Sequence, residues 1–369
     1  MKTAVVHDWL TGMRGGELVL EAMLPLLPDP TIFTLFHVAG SVSPEIERHP
    51  IRTSFLDRLP FARAHYRDFL PLFPHAVESF DLSGFDLVVS SSHCVAKGAV
   101  APPGVGHLCY CHTPVRYAYE QFDAYFPKER TRLYGVKRRL IARLRAWDLR
   151  TAHRPTRYLA NSSAVAERIR RHYGREAPVC HPPVDVAFFT PPETAGERAD
   201  FLIAVGALVP YKRFDLAIAA ARTLGRRLVI VGKGPERERL ANGAGANPSV
   251  EFAADVSRAR LRDLYRTCAF FVQPGEEDFG IAAAEAVACG APVVALGRGG
   301  VRDIVRDGVE GVLFDDPTAA GLAAAIARAE RLSFDYTEMR RSAGRFAPDR
   351  FAREIRRAVQ EVTTPKADA

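Results

Sequence analysis

The sequence predicts an α/β protein built from two doubly wound domains. Short apolar runs bounded by polar turns alternate with helical patterns, which is typical of a parallel sheet covered by helices on both faces. The same alternation starts again at residue 201, after a linker bracketed by Pro182-Pro183 and Pro191-Pro192. A chain of 369 residues has room for two such domains. In the first half the apolar runs lie at residues 3–7, 32–36, 85–90 and 106–110.

The second half follows the same order of elements. Residues 41–80 are predicted to be irregular, because they are rich in proline and aromatic residues. We predict a first domain of residues 1–185, on which a C-terminal helix within 349–369 packs back, and a second domain of residues 186–348, with the two domains facing a cleft. The predicted strands of the second half are residues 201–205, 227–231, 250–252, 269–273 and 292–296, and its predicted helices include residues 213–224, 258–267 and 280–289.

Composition and charge exclude several classes of protein. Apolar residues make up 47% and charged residues 25%, as in ordinary globular proteins, which excludes general disorder. The net charge of +7 allows an anionic partner, but no recognition motif indicates a nucleic acid. None of the six cysteines forms a C-x-x-C pair, so we expect reduced core residues of a cytoplasmic protein. No secretion signal or long apolar run is visible, so no membrane span is expected.

Two loops that follow predicted strands carry residues suited to a phosphate. Gly12, Gly15 and Gly16 lie between the first strand and the first helix, where backbone amides and the helix N-terminus attract an anion. Their spacing is not the G-x-G-x-x-G of dinucleotide-binding folds, and a tight turn without a ligand is the alternative. Lys212 and Arg213 begin a predicted helix, where cations are unfavourable unless an anion also binds there.

A pair of carboxylates follows the predicted strand at 269–273. Glu277 lies in the loop, Gly280 allows close approach of the backbone, and Glu285 lies one to two turns into the next helix. Carboxylates accept hydrogen bonds from sugar or ribose hydroxyls, and the helix N-terminus nearby binds phosphate. Glu285 has Ala and Val neighbours, which argues against a merely solvated helix face.

The carboxyl end of the predicted strand at 106–110 carries His112. Open α/β sheets bind ligands at this edge, although a single histidine is often structural. Ser90-Ser91-Ser92-His93 and Lys97 follow the preceding strand and are predicted to face the same edge. We therefore take His112 as a catalytic candidate, and Gly12, Lys97 and Arg116 as candidates to line the cleft.

Together these segments resemble the retaining glycosyltransferases of family 4, which have the GT-B fold. Glu277 and Glu285 match the E-x7-E motif of that family. The sequence His-Thr-Pro-Val-Arg-Tyr at 112–117 is similar to its bacterial mannosyltransferase branch, which assembles O-antigen and exopolysaccharide. The segments at 209–213 and 275–281 are similar to the same branch, as are Ser90–His93 with Lys97.

The resemblance implies roles at the donor. Lys212, with Arg213, would hold the diphosphate of a nucleotide-sugar. Glu277 would be a catalytic residue that binds hydroxyls of the transferred sugar, and Glu285 would bind the ribose. On the acceptor side, Gly12, Lys97 and Arg116 would line the cleft. Gly15 and Gly16 would line the diphosphate or the acceptor. The backbone near the phosphates would be that of Phe279, Gly280 and Ile281.

The resemblance also implies a mechanism. His112 would lie near the reacting sugar, and transfer would proceed on the front face with retention, the leaving diphosphate helping to deprotonate the acceptor hydroxyl. No D-x-D motif for a divalent metal is present, so Lys212, backbone amides and helix dipoles would neutralise the diphosphate without a metal or other cofactor.

The same branch implies transfer of mannose from GDP-mannose to a polyprenyl-diphosphate-linked glycan at the inner face of the plasma membrane. Two departures leave the nucleotide open. Ala207 stands where many relatives carry arginine beside the diphosphate, and Ala253-Ala254-Asp255 stands where relatives often have Gly-Arg.

Other functions remain as alternatives. A UDP-sugar-dependent glycosyltransferase and a GT-B sugar-nucleotide epimerase would use a similar scaffold, and a non-enzymatic nucleotide-binding module would need neither His112 nor Glu277. The missing G-x-G-x-x-G argues against a nicotinamide dehydrogenase.

One segment of the first domain suggests a membrane partner. Residues 127–157 contain eleven Lys or Arg and two acidic residues, with Leu140, Leu144 and Trp147 at helical spacing. This pattern predicts a basic amphipathic helix that contacts an anionic membrane surface. The alternative is an apolar stripe that faces the core, with a solvated arginine face.

Overall fold

The computed structural model describes residues 1–63, 65–120, 122–126, 128, 131–193, 198–245 and 249–364. The chain divides into two compact units. The first comprises Met1–Pro183 with Asp349–Ala369, and the second comprises Val184–Pro348. Each unit contains one six-stranded parallel sheet with flanking helices, which confirms the predicted fold class.

The first sheet has the strand order β3-β2-β1-β4-β5-β6. Every residue of its central strands β1 and β4 is buried, because helices cover both faces, as the uninterrupted apolar runs predict. The order along the sheet reverses between β1 and β4, and ligands bind at such a switch point in open α/β sheets. The strands are β1 (Thr3–His7), β2 (Pro30–Thr34), β3 (Ile51–Thr53), β4 (Leu87–Ser92), β5 (Gly106–Cys111) and β6 (Arg157–Ala160).

Helices and short 3-10 turns surround this sheet. The last helix of the chain, α14 (Pro348–Thr363), buries Phe351 and Ile355 in the same cluster as Val5 and Leu108 of the first sheet. The other helices of the first unit are α1 (Gly15–Met23), α2 (Pro44–Glu47), α3 (Phe73–Glu78), α4 (Arg116–Tyr119), α5 (Phe122–Tyr125), α6 (Tyr134–Arg150) and α7 (Ser163–Tyr173).

The second sheet has the order β12-β11-β10-β7-β8-β9, and its switch point lies between β7 and β10. Apolar clusters lie on both of its faces. Its strands are β7 (Phe201–Val205), β8 (Arg227–Val231), β9 (Val250–Ala253), β10 (Phe270–Gln273), β11 (Val293–Leu296) and β12 (Gly311–Phe314). Its helices are α8 (Phe214–Leu224), α9 (Arg237–Ala244), α10 (Arg258–Thr267), α11 (Ile281–Ala288), α12 (Ala319–Ala329) and α13 (Tyr336–Ala343).

The apolar stripe of the basic helix α6 faces the core of the first unit. Ile141, Leu144 and Trp147 belong to its buried cluster, and the Trp147 indole donates a hydrogen bond to Glu78 at 2.9 Å. These three side chains are therefore not available to a membrane. The exposed surface of α6 carries its arginines together with Val136 and Leu149. Part of the basic segment, including Arg130, lies outside the described residues.

Two further expectations can be compared with the structure. All six cysteines are buried and free, as predicted for reduced core residues. Across the described residues, every helix is too short or too polar to cross a bilayer.

Candidate active site

A lysine and a carboxylate meet at the switch point of the second sheet. The Lys212 Nζ donates a hydrogen bond to Glu277 Oε1 at 2.9 Å. The two side chains are 12% and 19% exposed, so the pair is shielded but still reachable from solvent. Their contact brings together the two charges that the sequence assigned to the donor. An ammonium here can neutralise phosphate oxygens, and a carboxylate can accept hydrogen bonds from sugar hydroxyls.

Three glycines make room for this pair. Gly206 follows β7 with φ +145°, and a Cβ there would overlap the ammonium of Lys212. Gly232 follows β8 with φ +144°, and its Cβ would overlap the carbonyl of Gly206. A side chain at Gly275 would meet the backbone of Tyr211 and Lys212. The close approach of these loops, rather than flexibility, explains why the sequence has glycine there.

Lys212 does not begin a helix, which corrects the prediction. Pro210–Lys212 forms a 3-10 turn, and α8 begins at Phe214. Arg213 between them takes a left-handed conformation with φ +53°. Its guanidinium is held by Asp215, with Nη2 to Oδ2 at 2.9 Å and Nε to Oδ1 at 3.1 Å. Both cations are thus paired with a carboxylate. The partner of Lys212 is the candidate site residue Glu277, whereas the partner of Arg213 is Asp215, with which a donor phosphate would have to compete.

The loop from Glu277 to α11 is held from behind by a second loop. The amide of Gly300 donates to the Glu277 carbonyl at 2.9 Å. Gly280, with φ +103°, caps the N-terminus of α11. Phe279 is buried and packs on the ring of Phe346 at 5.3 Å between centroids, so only its backbone is available to a ligand. Ile281 begins α11, so its amide is one of the unpaired donors at the helix N-terminus.

Glu285 lies on α11 beside a buried tyrosine. The hydroxyl of Tyr265 donates to Glu285 Oε2 at 3.2 Å. Burial raises the pKa of Glu285 to about 7, although the Tyr265 hydroxyl and the charge of Arg258 act in the opposite direction. The carboxyl can thus change its protonation state near neutral pH when a ligand hydroxyl binds.

Gln273 is a polar residue at this site that the sequence reasoning missed. It ends β10 and is 4% exposed, and neither amide atom has a hydrogen-bond partner among the described residues. Its Oε1 lies 3.0 Å from the position of a Cβ on Gly280, just behind the start of α11. A polar residue at the end of an otherwise apolar run, Phe-Phe-Val-Gln, was the available signal.

Histidines occupy the corresponding edge of the first sheet. The Ser91 Oγ on β4 is hydrogen-bonded to His112 Nε2 at 2.9 Å and to His7 Nδ1 at 3.1 Å. Burial, together with the neighbouring imidazoles of His93 and His7, lowers the pKa of His112 to about 3. His112 is therefore neutral at physiological pH and can act in hydrogen bonding without carrying a charge.

The loop after β4 is anchored by Asp8, another residue that the sequence reasoning missed. The buried carboxylate of Asp8 accepts the four consecutive backbone amides of residues 93–96, at 2.6–2.9 Å. It also lies 3.2 Å from His93 Nδ1. This arrangement fixes the loop beside the histidines, as expected for a charged acceptor of several hydrogen bonds.

The glycines after β1 differ in their surroundings. A Cβ on Gly16 would lie 3.7–4.0 Å from the rings of His7, His93 and His112, so Gly16 lies directly over the histidines. Gly15 begins α1. Gly12 takes φ +148°, with nothing near the position of its Cβ.

Lys97 lies in the core, which contradicts the prediction that it lines a cleft. It is 1% exposed. Its Nζ lies 3.0 Å from Asp148 Oδ1 and donates to the Asp148 carbonyl at 2.8 Å. The hydroxyls of Tyr119 and Tyr173 donate to the other carboxylate oxygen of Asp148 at 2.6 and 2.7 Å. Lys97 is thus part of a buried structural ion pair on the side of α6.

Arg116 begins α4 and lines a small depression. The other lining residues include Glu120, Arg168 and His172, and the ring of His172 stacks on Tyr119 at 4.1 Å between centroids. Burial lowers the pKa of His172, so the positive charge comes from the two arginines, which outnumber the one carboxylate.

Comparisons with known proteins match both halves of the chain. Residues 30–188 match the family model described as Glycosyltransferase Family 4, and residues 188–350 match that described as Glycosyl transferases group 1. Each half thus matches a glycosyltransferase-family model. The resemblance seen in the motifs is thus supported at the level of the family, while the mannosyltransferase branch remains a prediction.

Curated relatives carry one recurring name. The D-inositol 3-phosphate glycosyltransferase of Geodermatophilus obscurus is 38% identical over 227 residues, which cover 53% of this chain and 50% of the relative. The protein of the same name from Acidothermus cellulolyticus is 36% identical over 201 residues, covering 47% and 45%. The chain thus spans about half the length of the curated relatives it matches.

Solved structures establish the fold. HepE of Anabaena in complex with UDP superimposes with a TM-score of 0.70 at 17% identity, covering 98% of this chain and 100% of that one. The lipopolysaccharide outer core galactosyltransferase WaaB, in its apo form, gives 0.66 at 15% identity, covering 98% and 99%. The chain therefore has the two-domain α/β architecture of the GT-B fold.

Proposed function

We propose that this chain is a retaining glycosyltransferase that uses a nucleoside-diphosphate sugar as its donor. The observation that carries the proposal is the contact between Lys212 and Glu277 at the switch point of the second sheet. The pair joins a phosphate-binding cation to a hydroxyl-binding carboxylate, the two functions that such a donor requires. Gly206 leaves the space in which Lys212 lies.

The reaction follows from the charges that have to be stabilised. As the bond to the anomeric carbon breaks, negative charge develops on the leaving diphosphate, and Lys212 with the amides at the start of α11 would stabilise it. Glu277 would orient the sugar through its hydroxyls, and Glu285 would hold the ribose. The leaving diphosphate would take the proton of the acceptor hydroxyl, which then attacks the same face. His112 would hold a hydroxyl of the reacting sugar.

We propose mannose from GDP-mannose as the donor, supported by the segments at 112–117, 209–213 and 275–281. A UDP-sugar is the second candidate, because HepE was solved with UDP-glucose. Incubation with GDP-mannose and with UDP-sugars, each with and without acceptor, tests both. Release of nucleoside diphosphate that depends on acceptor supports transfer, and an α-linked product from an α-linked donor supports retention. Isomerisation of the donor without acceptor would instead indicate an epimerase.

The proposed reaction needs no divalent metal. Lys212 and helix-terminal amides would supply the positive charge that a metal supplies in other enzymes. Transfer should therefore continue at the same rate after treatment with EDTA. Loss of activity on chelation, restored by Mg²⁺ or Mn²⁺, would contradict this part of the proposal.

We propose a polyprenyl-diphosphate-linked glycan as the acceptor, supported by the similarity of residues 112–117 to enzymes of O-antigen and exopolysaccharide assembly. The names of the curated relatives favour inositol 3-phosphate as the second candidate. An assay with both acceptors and one radiolabelled donor separates them, because the first product partitions into organic solvent and the second remains in water.

An acceptor in the membrane would bring the chain to an anionic surface. The exposed arginines of α6 supply the charge, and each cation near such a surface contributes about 1 kcal/mol. Flotation with anionic and neutral vesicles tests this interaction. Changing Arg138, Arg139 and Arg143 to glutamate should abolish binding to anionic vesicles, whereas Arg353→Glu with Arg356→Glu on α14 should not. Equal binding to both kinds of vesicle would overturn the electrostatic proposal.

A further inference from the structure

A buried chain of hydrogen-bonding groups connects α1 to His112 across the carboxyl ends of β1, β4 and β5. Its members are Glu17, His7, Ser91 and His112, all between 0% and 8% exposed. Glu17 Oε1 lies 3.7 Å from His7 Nε2, and Ser91 Oγ lies between the two histidines, 3.1 Å from His7 and 2.9 Å from His112. The mechanism above uses only the last member of this chain.

Glu17 determines where the hydrogen on His7 lies. Burial by itself would raise the pKa of Glu17, but the interactions with His7 and His93 outweigh it and hold this pKa below its ordinary value. The carboxyl is therefore ionised and can only accept hydrogen bonds. His7 Nε2 is the ring nitrogen that faces this carboxylate, and it has no hydrogen-bond partner among the described residues. At 3.7 Å the negative charge of Glu17 favours the tautomer with the hydrogen on Nε2.

The hydroxyl of Ser91 has a single hydrogen, and this fixes the tautomer of His112. When His7 is neutral with its hydrogen on Nε2, its Nδ1 accepts, and Ser91 has to donate to it. The Ser91 oxygen then has no hydrogen left for His112 and can only accept from His112 Nε2. Since His112 is itself neutral, its Nδ1 carries a free lone pair.

We propose that Glu17, acting through His7 and Ser91, holds His112 as the neutral Nε2–H tautomer, with Nδ1 as a hydrogen-bond acceptor for a ligand hydroxyl. Glu17, His7 and Ser91 are positioning residues, because they act on the ligand only through His112. Gly16 places no side chain over the histidine rings, where a Cβ would be in van der Waals contact with all three at 3.7–4.0 Å. Only the identity of the hydroxyl, that of the transferred sugar, rests on the proposed function.

The Glu17→Gln variant gives the sharpest test. Glu17 Oε2 accepts the backbone amide of Arg14 at 3.0 Å. A glutamine has to keep its carbonyl oxygen toward that amide, so its NH₂ group faces His7 Nε2. His7 then carries its hydrogen on Nδ1, Ser91 accepts it and donates to His112 Nε2, and His112 becomes the Nδ1–H tautomer. One near-isosteric substitution should thus reverse the whole chain.

Nitrogen NMR of the full chain labelled with ¹⁵N-histidine measures these tautomers directly. The His112 signal is assigned by its loss in His112→Gln. We expect the Nε2–H form in the unsubstituted protein and the Nδ1–H form in Glu17→Gln. An Nδ1–H form of His112, or a doubly protonated His7, in the unsubstituted protein would overturn the proposal. An unchanged His112 in folded Glu17→Gln would do the same.

A matched pair of serines on β4 provides a second variant and its control. Ser90 Oγ is hydrogen-bonded to His107 Nε2 at 2.8 Å, and both residues are buried, as are Ser91 and His112. Ser91→Ala and Ser90→Ala therefore remove similar contacts from adjacent positions. Only Ser91→Ala should convert His112 to a mixture of tautomers, and a change of His112 in Ser90→Ala would indicate a general structural effect.

The activity of the same variants connects the tautomer to transfer. A wrong histidine tautomer reduces turnover by up to about 10⁴-fold in serine proteases. We expect kcat to fall at least about tenfold in Glu17→Gln at an unchanged midpoint of thermal unfolding, and to stay unchanged in Ser90→Ala. A reversed tautomer with full kcat would show that His112 Nδ1 accepts no hydroxyl in the reaction. If the unsubstituted protein transfers no sugar while the tautomers behave as described, the proposed function fails and the relay stands.

Discussion

The two sheets share one architecture but carry different chemistry at their switch points. In the first, the polar groups are histidines and a serine at the ends of buried strands, and His112 is kept neutral by burial. In the second, they are Lys212 and Glu277 on loops that glycines bring together, and both are partly exposed. A polar group on a buried strand end can be satisfied only within the core, whereas a group on a loop can keep its charge and reach a ligand.

The ion pairs of Lys97 in the first unit and Lys212 in the second differ in the same way. Lys97 and Lys212 lie 3.0 and 2.9 Å from a carboxylate, so distance does not distinguish them. Their surroundings do, because Lys97 is 1% exposed and its partner Asp148 also binds two tyrosine hydroxyls. The short ion pair of Lys97 therefore stabilises the core of the first unit, whereas the equally short pair of Lys212 marks a candidate ligand site in the second.

The largest expected effect comes from breaking the buried pair. Lys97→Ala leaves the carboxylate of Asp148 buried without its cation, which costs about 3–5 kcal/mol in the free energy of unfolding. Trp9 and Trp147 both lie in the first unit, so tryptophan fluorescence during urea unfolding reports on that unit alone. A loss below about 1 kcal/mol, as for an exposed pair, would mean that Lys97 is not structural.

Breaking the pair in the second unit should instead affect activity. Lys212→Ala removes a charge-assisted hydrogen bond worth about 1.5–3 kcal/mol, so we expect kcat/KM to fall about 10- to 150-fold. Lys233→Ala is the matched control, because Lys233 follows the next strand and pairs with Asp255 at 64% and 81% exposure. Similar losses in both variants would remove the distinction between the two lysines.

Glu285 should make the second unit sensitive to pH. Its pKa is raised from 4.5 to about 7, so the folded protein binds the proton more tightly than the unfolded chain does. The contribution of Glu285 to the free energy of unfolding is then most favourable below pH 4.5 and falls as the pH rises toward 7, by about 2 kcal/mol after allowance for partial exposure. Glu285→Gln should remove this decrease, as measured by urea unfolding followed by circular dichroism between pH 4.5 and 7.5.

The same carboxyl should couple pH to the donor. If ribose hydroxyls donate to ionised Glu285, the KM for the donor should fall as the pH rises through 7, and Glu285→Gln should flatten that profile. A parallel pH profile in the variant would assign the titration to another group.

The smallest expected effect concerns Gln273. Its buried amide has no protein partner among the described residues, so Gln273→Leu should leave the free energy of unfolding unchanged or raise it by about 1 kcal/mol. Thermal unfolding beside Gln360→Leu, an exposed position on α14, separates this effect from added hydrophobicity. A loss above 1 kcal/mol would indicate that the amide is satisfied in solution.

Apolar patterning predicted the strands in which it is strongest. The predicted bounds of β1, β7 and β8 agree with the structure, because each is a short apolar run bounded by turns. The strands β3, β6 and β12 escaped notice because they have only three or four residues, include arginine or glycine, and lie at or near a sheet edge. Such strands form because a neighbouring strand offers hydrogen bonds, which no local pattern records.

The candidate site residues also include some that the sequence placed correctly and one that it did not. Motif spacing selected Lys212 and Glu277, whose contact the structure places at a switch point. It also selected Lys97, whose side chain points into the core instead. The direction of a side chain after a strand depends on what packs beside it, and here α6 supplies Asp148.

The sequence by itself determined the α/β class, the two-fold repetition of strands and helices, and the residue types available at the strand ends, because periodicity and glycine positions are local properties of the chain. Only the tertiary structure decided that the apolar stripe of α6 faces the core, that Lys97 is structural, and that Ser91 lies between His7 and His112. Each of these depends on contacts between residues distant in sequence, and the free energy of burying a charge or a hydroxyl depends on those partners.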